Sequence, residues 1–159
     1  SRDVEPPPAY GESLANADAI QEKLSGAEHE PVPCHNDLLA GNFIRGTDTI
    51  WIVDWEYAGM GDRYFDLGNF SVNNELDEAG QAALLEVYFG EEPGPRRLAT
   101  LSLFRFMSDF REAMWGVVQS GVSDIDFDFN EYATKHFDRM AETAADPKFQ
   151  TWLEGAGGP

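Results

Sequence analysis

Residues 34–59 of the 159-residue chain read CHNDLLAGNFIRGTDTIWIVDWEYAG. Phe43–Arg45 and Thr49–Val53 are β-branched and aromatic runs separated by Gly46-Thr47-Asp48, the pattern of a short hairpin. The preceding CHNDLLAGN mixes polar and apolar positions with neither a helical nor a strand period, which predicts a loop. That loop carries His35, Asp37 and, five positions after the aspartate, Asn42. Asp54 stands where the second strand ends.

On either side the pattern is helical. Pro6, Pro7 and Pro8 make residues 1–12 an extended linker. Ser13 can cap a helix whose Leu14, Ala17, Ile20 and Leu24 share a face. Pro31 and Pro33 keep residues 29–33 out of a helix interior, and Trp55–Arg63 reads as loop. Helices are predicted over Phe65–Val72, over Glu78–Phe89 with Gly90 closing it, from Pro95 to about Gln119 with Gly121 as the stop, and over Asn130–Thr143. The Pro95 helix is apolar on more than one stripe and belongs at the centre of the core. Phe43 and Trp51 are expected in the core too. Residues 13–154 then form one domain and 155–159 a disordered tail. The fold class is mainly α (α+β), with one small hairpin.

Composition narrows the function. Hydrophobic residues make up 42% and aromatics 13%, enough for a core. The formal charge of −18 opposes a nucleic-acid partner, which needs Lys and Arg to displace counterions, and favours cations instead. No apolar run is long enough for a membrane span. A single cysteine, Cys34, leaves no internal disulfide and fits a reducing, cytoplasmic setting. The chain has no initiator Met and is expected to be a partial one.

The loop and hairpin match the needs of phosphoryl transfer from ATP. One carboxylate must orient the acceptor hydroxyl and take its proton, while an Asn and a second Asp hold the Mg²⁺ that bridges the phosphates. Kinase catalytic loops set base and Asn five residues apart, with the metal-binding Asp after a hairpin. Asp37, Asn42 and Asp54 follow that order and spacing, and their hard oxygens suit Mg²⁺. An isolated H-x-D would read as a mere turn. His35 is expected to brace the loop rather than act as base, and Cys34 to be a small buried residue.

The stretch CHNDLLAGNFI…IWIVDWEYAGMGDRYFDLGNFSVNN resembles the choline/ethanolamine kinase family, within the aminoglycoside-phosphotransferase-like group of protein-kinase-like enzymes. The match is specific over residues 33–74 and looser after Arg96. The resemblance implies a kinase-like C-terminal lobe with Asp37 as catalytic base and Asn42 and Asp54 as Mg²⁺ ligands. Asp66 would anchor the catalytic loop from below; on local grounds it could also cap its helix.

A cationic amine acceptor would be held by aromatic faces and carboxylates. Candidates are Tyr57, Trp115, Phe129 and Tyr132, with Glu56, Asp109 and Glu112 for charge. In choline kinases the positions after the D-x-E-Y segment and in a W-x-x-x-Q stretch like Trp115–Gln119 form the amine pocket. This chain departs from the eukaryotic pattern at Glu112, where the first of two tryptophans stands. Only Lys23, Lys135 and Lys148 occur, none in a strand pattern before the catalytic loop, so the N-terminal lobe that grips ATP is expected to be absent. The expected activity is ATP-dependent phosphorylation of a small amino-alcohol, choline or ethanolamine, with the fragment alone inactive. The alternatives are an aminoglycoside or other small-molecule phosphotransferase, and a non-catalytic cation-binding pseudokinase-like module.

Overall fold

A computed structural model describes residues 4–25 and 30–156. In chain order the elements are α1 (Tyr10–Leu24), β1 (Val32–Cys34), β2 (Phe43–Arg45), β3 (Ile50–Ile52), β4 (Gly59–Gly61), α2 (Arg63–Asn73), α3 (Glu78–Phe89), α4 (Pro95–Val122), α5 (Phe129–Ala145) and α6 (Phe149–Gly155). The mainly helical architecture with a small hairpin is as expected.

Helix α4 is the axis. Pro95 occupies its first turn, where a missing N–H costs nothing. Leu101, Leu103, Phe106 and Ala113 along it are fully buried. One side meets Ile20 of α1, Phe137 and Met140 of α5 and Phe149 of α6. The other, through Leu101 and Phe104, meets Tyr64 and Leu67 of α2 and Leu85 of α3. Helices α2 and α4 cross so closely that a Cβ on Gly68 would lie 2.7 Å from Phe104 C and 2.8 Å from its O. Main-chain atoms cannot step aside, so only glycine fits there.

Two small antiparallel sheets flank this frame. In the expected hairpin Phe43 pairs with Ile52 and Arg45 with Ile50. The second sheet pairs β1 with β4, Val32 opposite Gly61 and Cys34 opposite Gly59. It was not foreseen: Trp55–Arg63 carries no alternating pattern, and Gly59-Met60-Gly61 becomes a strand only because β1 is there to pair with it.

Several boundaries differ from expectation. Helix α1 begins at Tyr10, so Ser13 is a buried interior residue and not its cap. Gly121 lies inside α4, which runs to Val122. Gly155 closes α6 and Ala156 is buried, so the ordered fold extends past 154, while 157–159 lie outside the described residues. Trp51 is 62% exposed, not core, because it projects from a two-stranded sheet on the face away from the helices. Phe43, on the other face, packs its ring edge-on to Phe70 at 5.5 Å.

Candidate active site

The loop between β1 and β2 is held chiefly from α2. Asp66 accepts hydrogen bonds from the backbone N–H groups of His35 and Asn36, both at 2.7 Å. Asn69, one turn on and so on the same face, accepts from Leu38 N at 2.5 Å and donates to Ser108 Oγ of α4 at 3.0 Å. Two side chains of one helix therefore satisfy three N–H groups of an irregular loop, which fixes its course. The cap of α2 is Asp62, which accepts from Tyr64 N at 2.8 Å, leaving Asp66 for the loop.

His35 is buried and ties the loop to the hairpin. Its Nδ1 faces Asp37 N at 3.3 Å and its Nε2 faces Val53 O at 2.9 Å. With Nδ1 facing a donor and Nε2 an acceptor, the ring bridges the loop and the end of the hairpin. Trp55 covers the ring edge-on at 4.6 Å. Val53 N also donates to Asn42 O at 3.0 Å, so the residue before Asp54 is bound on both sides. Asn36 and Asp54 have φ of 65° and 66°, left-handed conformations that Asn and Asp adopt at less cost than other non-glycine residues. Strain of this kind persists where the surroundings hold it, often at functional sites.

Asp37 sits at the focus. The amide nitrogen of Asn42 donates to Asp37 O at 2.9 Å and to its Oδ2 at 3.2 Å. Across the carboxylate, Arg111 Nη2 lies 3.8 Å from Oδ1. The side chain keeps 14% of its surface exposed, enough to meet a hydroxyl group. Arg111 also donates to Asn36 O, and its guanidinium lies over the rings of Tyr57 at 5.2 Å and Phe65 at 5.9 Å.

Next to it on α4, Glu112 is buried. Its Oε2 accepts from Tyr132 Oη at 2.7 Å, and Arg111 Nη1 is 3.3 Å from Oε1. Burial first, and then the Glu112 charge and hydrogen bond, push the Tyr132 phenol well above the ordinary tyrosine range. Trp115 meets Phe129 and Tyr132 edge-to-face, each at 5.6 Å. A Cβ on Gly116 would approach Ala133 Cβ and Phe129 O to 3.1 Å, so glycine lets α5 bring Tyr132 against Glu112.

Of the expected amine-pocket residues, Glu112, Trp115, Phe129 and Tyr132 form one cluster, joined to Asp37 and Tyr57 through Arg111. Glu56 is exposed and makes no hydrogen bond or ion pair among the described residues. Asp109 does not lend its charge to the pocket: it is 1% exposed and pairs with His136 at 2.7 Å and with Arg139. Cys34 is buried, and desolvation followed by the nearby Asp66 and Asp62 charges raises its thiol pKa, as suits a structural cysteine.

The sequence reading assigned no role to Arg111 or Asn69. Asn69 was within reach, since it stands three residues after Asp66 on a predicted helix. Arg111 had a weaker signal, a cation beside an acid within a strongly acidic chain.

A family model described as "Phosphotransferase enzyme family" matches residues 2–101. The chain belongs to the phosphotransferase enzyme family. Among the chain's relatives, ethanolamine kinase 2 of Rattus norvegicus is 34% identical over 140 residues, 76% of this chain and 36% of that protein. The protein LicA of Haemophilus influenzae is 28% identical over 112 residues, 67% of this chain and 41% of that protein. The crystal structure of a choline/ethanolamine kinase family protein from Mesorhizobium loti superposes with a TM-score of 0.88 at 30% identity, covering 96% of this chain and 52% of that one. The chain thus spans between about a third and a half of these relatives.

Asn42 and Asp54 offer hard oxygen donors of the kind that Mg²⁺ takes. Both hydrogen bonds of the Asn42 side chain use its nitrogen, which leaves Oδ1 available, and Asp54 is exposed. Among the described residues no group of three or more His, Cys, Asp and Glu could hold a metal. An ion held by one or two protein oxygens, with waters and phosphates for the rest, is the usual pattern for magnesium. No helix among the described residues is long and apolar enough to cross a membrane.

Proposed function

We propose that the intact protein transfers a phosphoryl group from ATP to the hydroxyl of a small amino-alcohol, ethanolamine or choline, with Asp37 as the base. The observation that carries this reading is the set of restraints converging on Asp37. Asn42 holds one carboxylate oxygen, Arg111 faces the other, and Asp66 and Asn69 fix the backbone on both sides. Such restraint suits a group that must meet a hydroxyl in one orientation, where positioning supplies most of the catalysis.

In this mechanism the acceptor hydroxyl donates to the exposed edge of Asp37, which takes its proton as the oxygen bonds to the terminal phosphorus of ATP, and the bond from that phosphorus to the β,γ-bridging oxygen breaks to release ADP. Asn42 Oδ1 and the Asp54 carboxylate would hold Mg²⁺, which supplies charge neutralisation for the phosphates. His35 and Trp55 keep Val53, and hence Asp54, in register with the loop. The acceptor's amino group lies toward Glu112, whose carboxylate and aromatic surroundings provide the cation site.

The reading also makes this 159-residue chain nearly inactive by itself. A kinase grips ATP with a β-lobe and a Lys–Glu pair. Lys23 lies in α1, Lys135 in α5, and Lys148 pairs with Glu78 beside α6, so none stands on a strand. The family likeness of the Mesorhizobium protein and the rat ethanolamine kinase supports the choice of acceptor.

The test is ³¹P NMR of the full-length protein with Mg·ATP and, separately, ethanolamine, choline and an aminoglycoside. The expected product is phosphoethanolamine or phosphocholine, with negligible turnover by the 159-residue chain. Phosphorylation of the aminoglycoside alone would replace the acceptor, and no phosphoester from any of them would contradict the reading.

A further inference from the structure

Glu112 is 4% exposed, yet its Oε1 has no hydrogen-bond partner. Arg111 Nη1 comes within 3.3 Å but donates to Asn36 O, so it brings charge to Oε1 without a hydrogen bond. The other oxygen is taken by Tyr132. A buried carboxylate with one oxygen left over is a demand for an N–H.

The rings beside Glu112 leave this oxygen without a donor. Phe129 and Tyr132 each meet Trp115 edge-to-face, at interplanar angles of 70° and 72°. The Tyr132 hydroxyl is already spent on Glu112.

From these contacts we infer that Glu112 Oε1 is the specificity-determining acceptor of the site, requiring an acceptor ammonium that carries at least one N–H. Arg111 is its lid. Its side chain is 28% exposed and its Nη1 lies 3.3 Å from Oε1; a shift of the guanidinium toward Asp37 Oδ1, now 3.8 Å from Nη2, would uncover that oxygen. An ammonium entering there supplies the missing donor, while a trimethylammonium has no hydrogen to give. The inference rests on the amino-alcohol reading of the cleft and adds a rule for choosing within that class.

The experiment uses the full-length protein with Mg·ATP and the series ethanolamine, N-methylethanolamine, N,N-dimethylethanolamine and choline. The rule predicts a step: kcat/KM changes little while one N–H remains, then drops by roughly 10²-fold or more at choline. Glu112→Gln removes the step, with KM for ATP and the melting midpoint held. A smooth decline across the series, choline used as well as ethanolamine, or an unchanged step in the variant would overturn the rule and leave the kinase reading standing. Should no amino-alcohol turn over, the kinase reading fails, and calorimetric titration with ethanolammonium chloride and choline chloride decides the rule separately. Binding of ethanolammonium alone, lost in Glu112→Gln, sustains it; binding of both or of neither overturns it.

Discussion

Replacing Asp66 with alanine removes the acceptor of two backbone hydrogen bonds, from His35 N and Asn36 N, each 2.7 Å long. Hydrogen bonds to a charged group are worth about 1.5–3 kcal/mol apiece. Asp66 is half-buried, so water can reach part of the vacated site, and the lower value applies to each bond. The sum is about 3 kcal/mol, or roughly 6–12 °C in melting midpoint for a domain of this size. Asp66→Asn keeps one acceptor but turns its amide N–H toward the other donor, and should fall between alanine and wild type. Asp77→Ala is the control. It removes an exposed helix cap, Gly80 N to Asp77 at 2.8 Å, worth about 1 kcal/mol. Urea denaturation of the three variants measures the differences. If Asp66→Ala costs no more than Asp77→Ala, water replaces the carboxylate and the loop is held by other contacts.

Other perturbations have equally definite outcomes. Gly68→Ala forces a Cβ to within 2.7–3.0 Å of the Phe104–Arg105 backbone and should cost about 1–3 kcal/mol in urea, with α2 and α4 pushed apart. Asp54→Gly should be nearly neutral for stability, since relief of about 1 kcal/mol of left-handed strain is offset by glycine's greater unfolded entropy. The same variant should lose Mg-dependent turnover in the full-length protein, a separation seen by comparing the melt with the ³¹P assay. Tyr132 and Tyr64, both raised by burial, should stay protonated beyond the ordinary tyrosine range, leaving a deficit in phenolate absorbance until the chain unfolds. A raised folded-state pKa means that this stability is complete below the unfolded tyrosine pKa of about 10 and declines as pH rises above it. Tyr132→Phe should therefore show a shallower alkaline loss of stability.

The legible parts of this protein are those with local causes. The hairpin from Phe43 to Ile52, the stop of α3 at Gly90, and Pro95 at the head of α4 each follow from a few neighbouring residues. The spacing of Asp37 and Asn42 shows itself in the same way, because the Asn42 amide must reach back across one tight loop. Contacts between distant segments left no such mark. Strand β4 exists through β1, and Arg111 reaches Asn36 from 75 positions away. Asp109 was misread because its partners, His136 and Arg139, sit on another helix. Trp51 was misread because a β-branched, aromatic strand predicts pairing, not which face is covered. Glu112 was recognised as a departure from the tryptophan pattern, but its bond to Tyr132 and its unpartnered oxygen depend on the α4–α5 crossing at Gly116.

The central claim is that Asp37 takes the proton of the acceptor hydroxyl. Asp37→Asn in the full-length protein, assayed for phosphoethanolamine under saturating Mg·ATP, tests it most directly. The account predicts a fall in kcat of about 10²–10⁴-fold with ethanolamine and ATP binding retained. Turnover within a few-fold of wild type would contradict it.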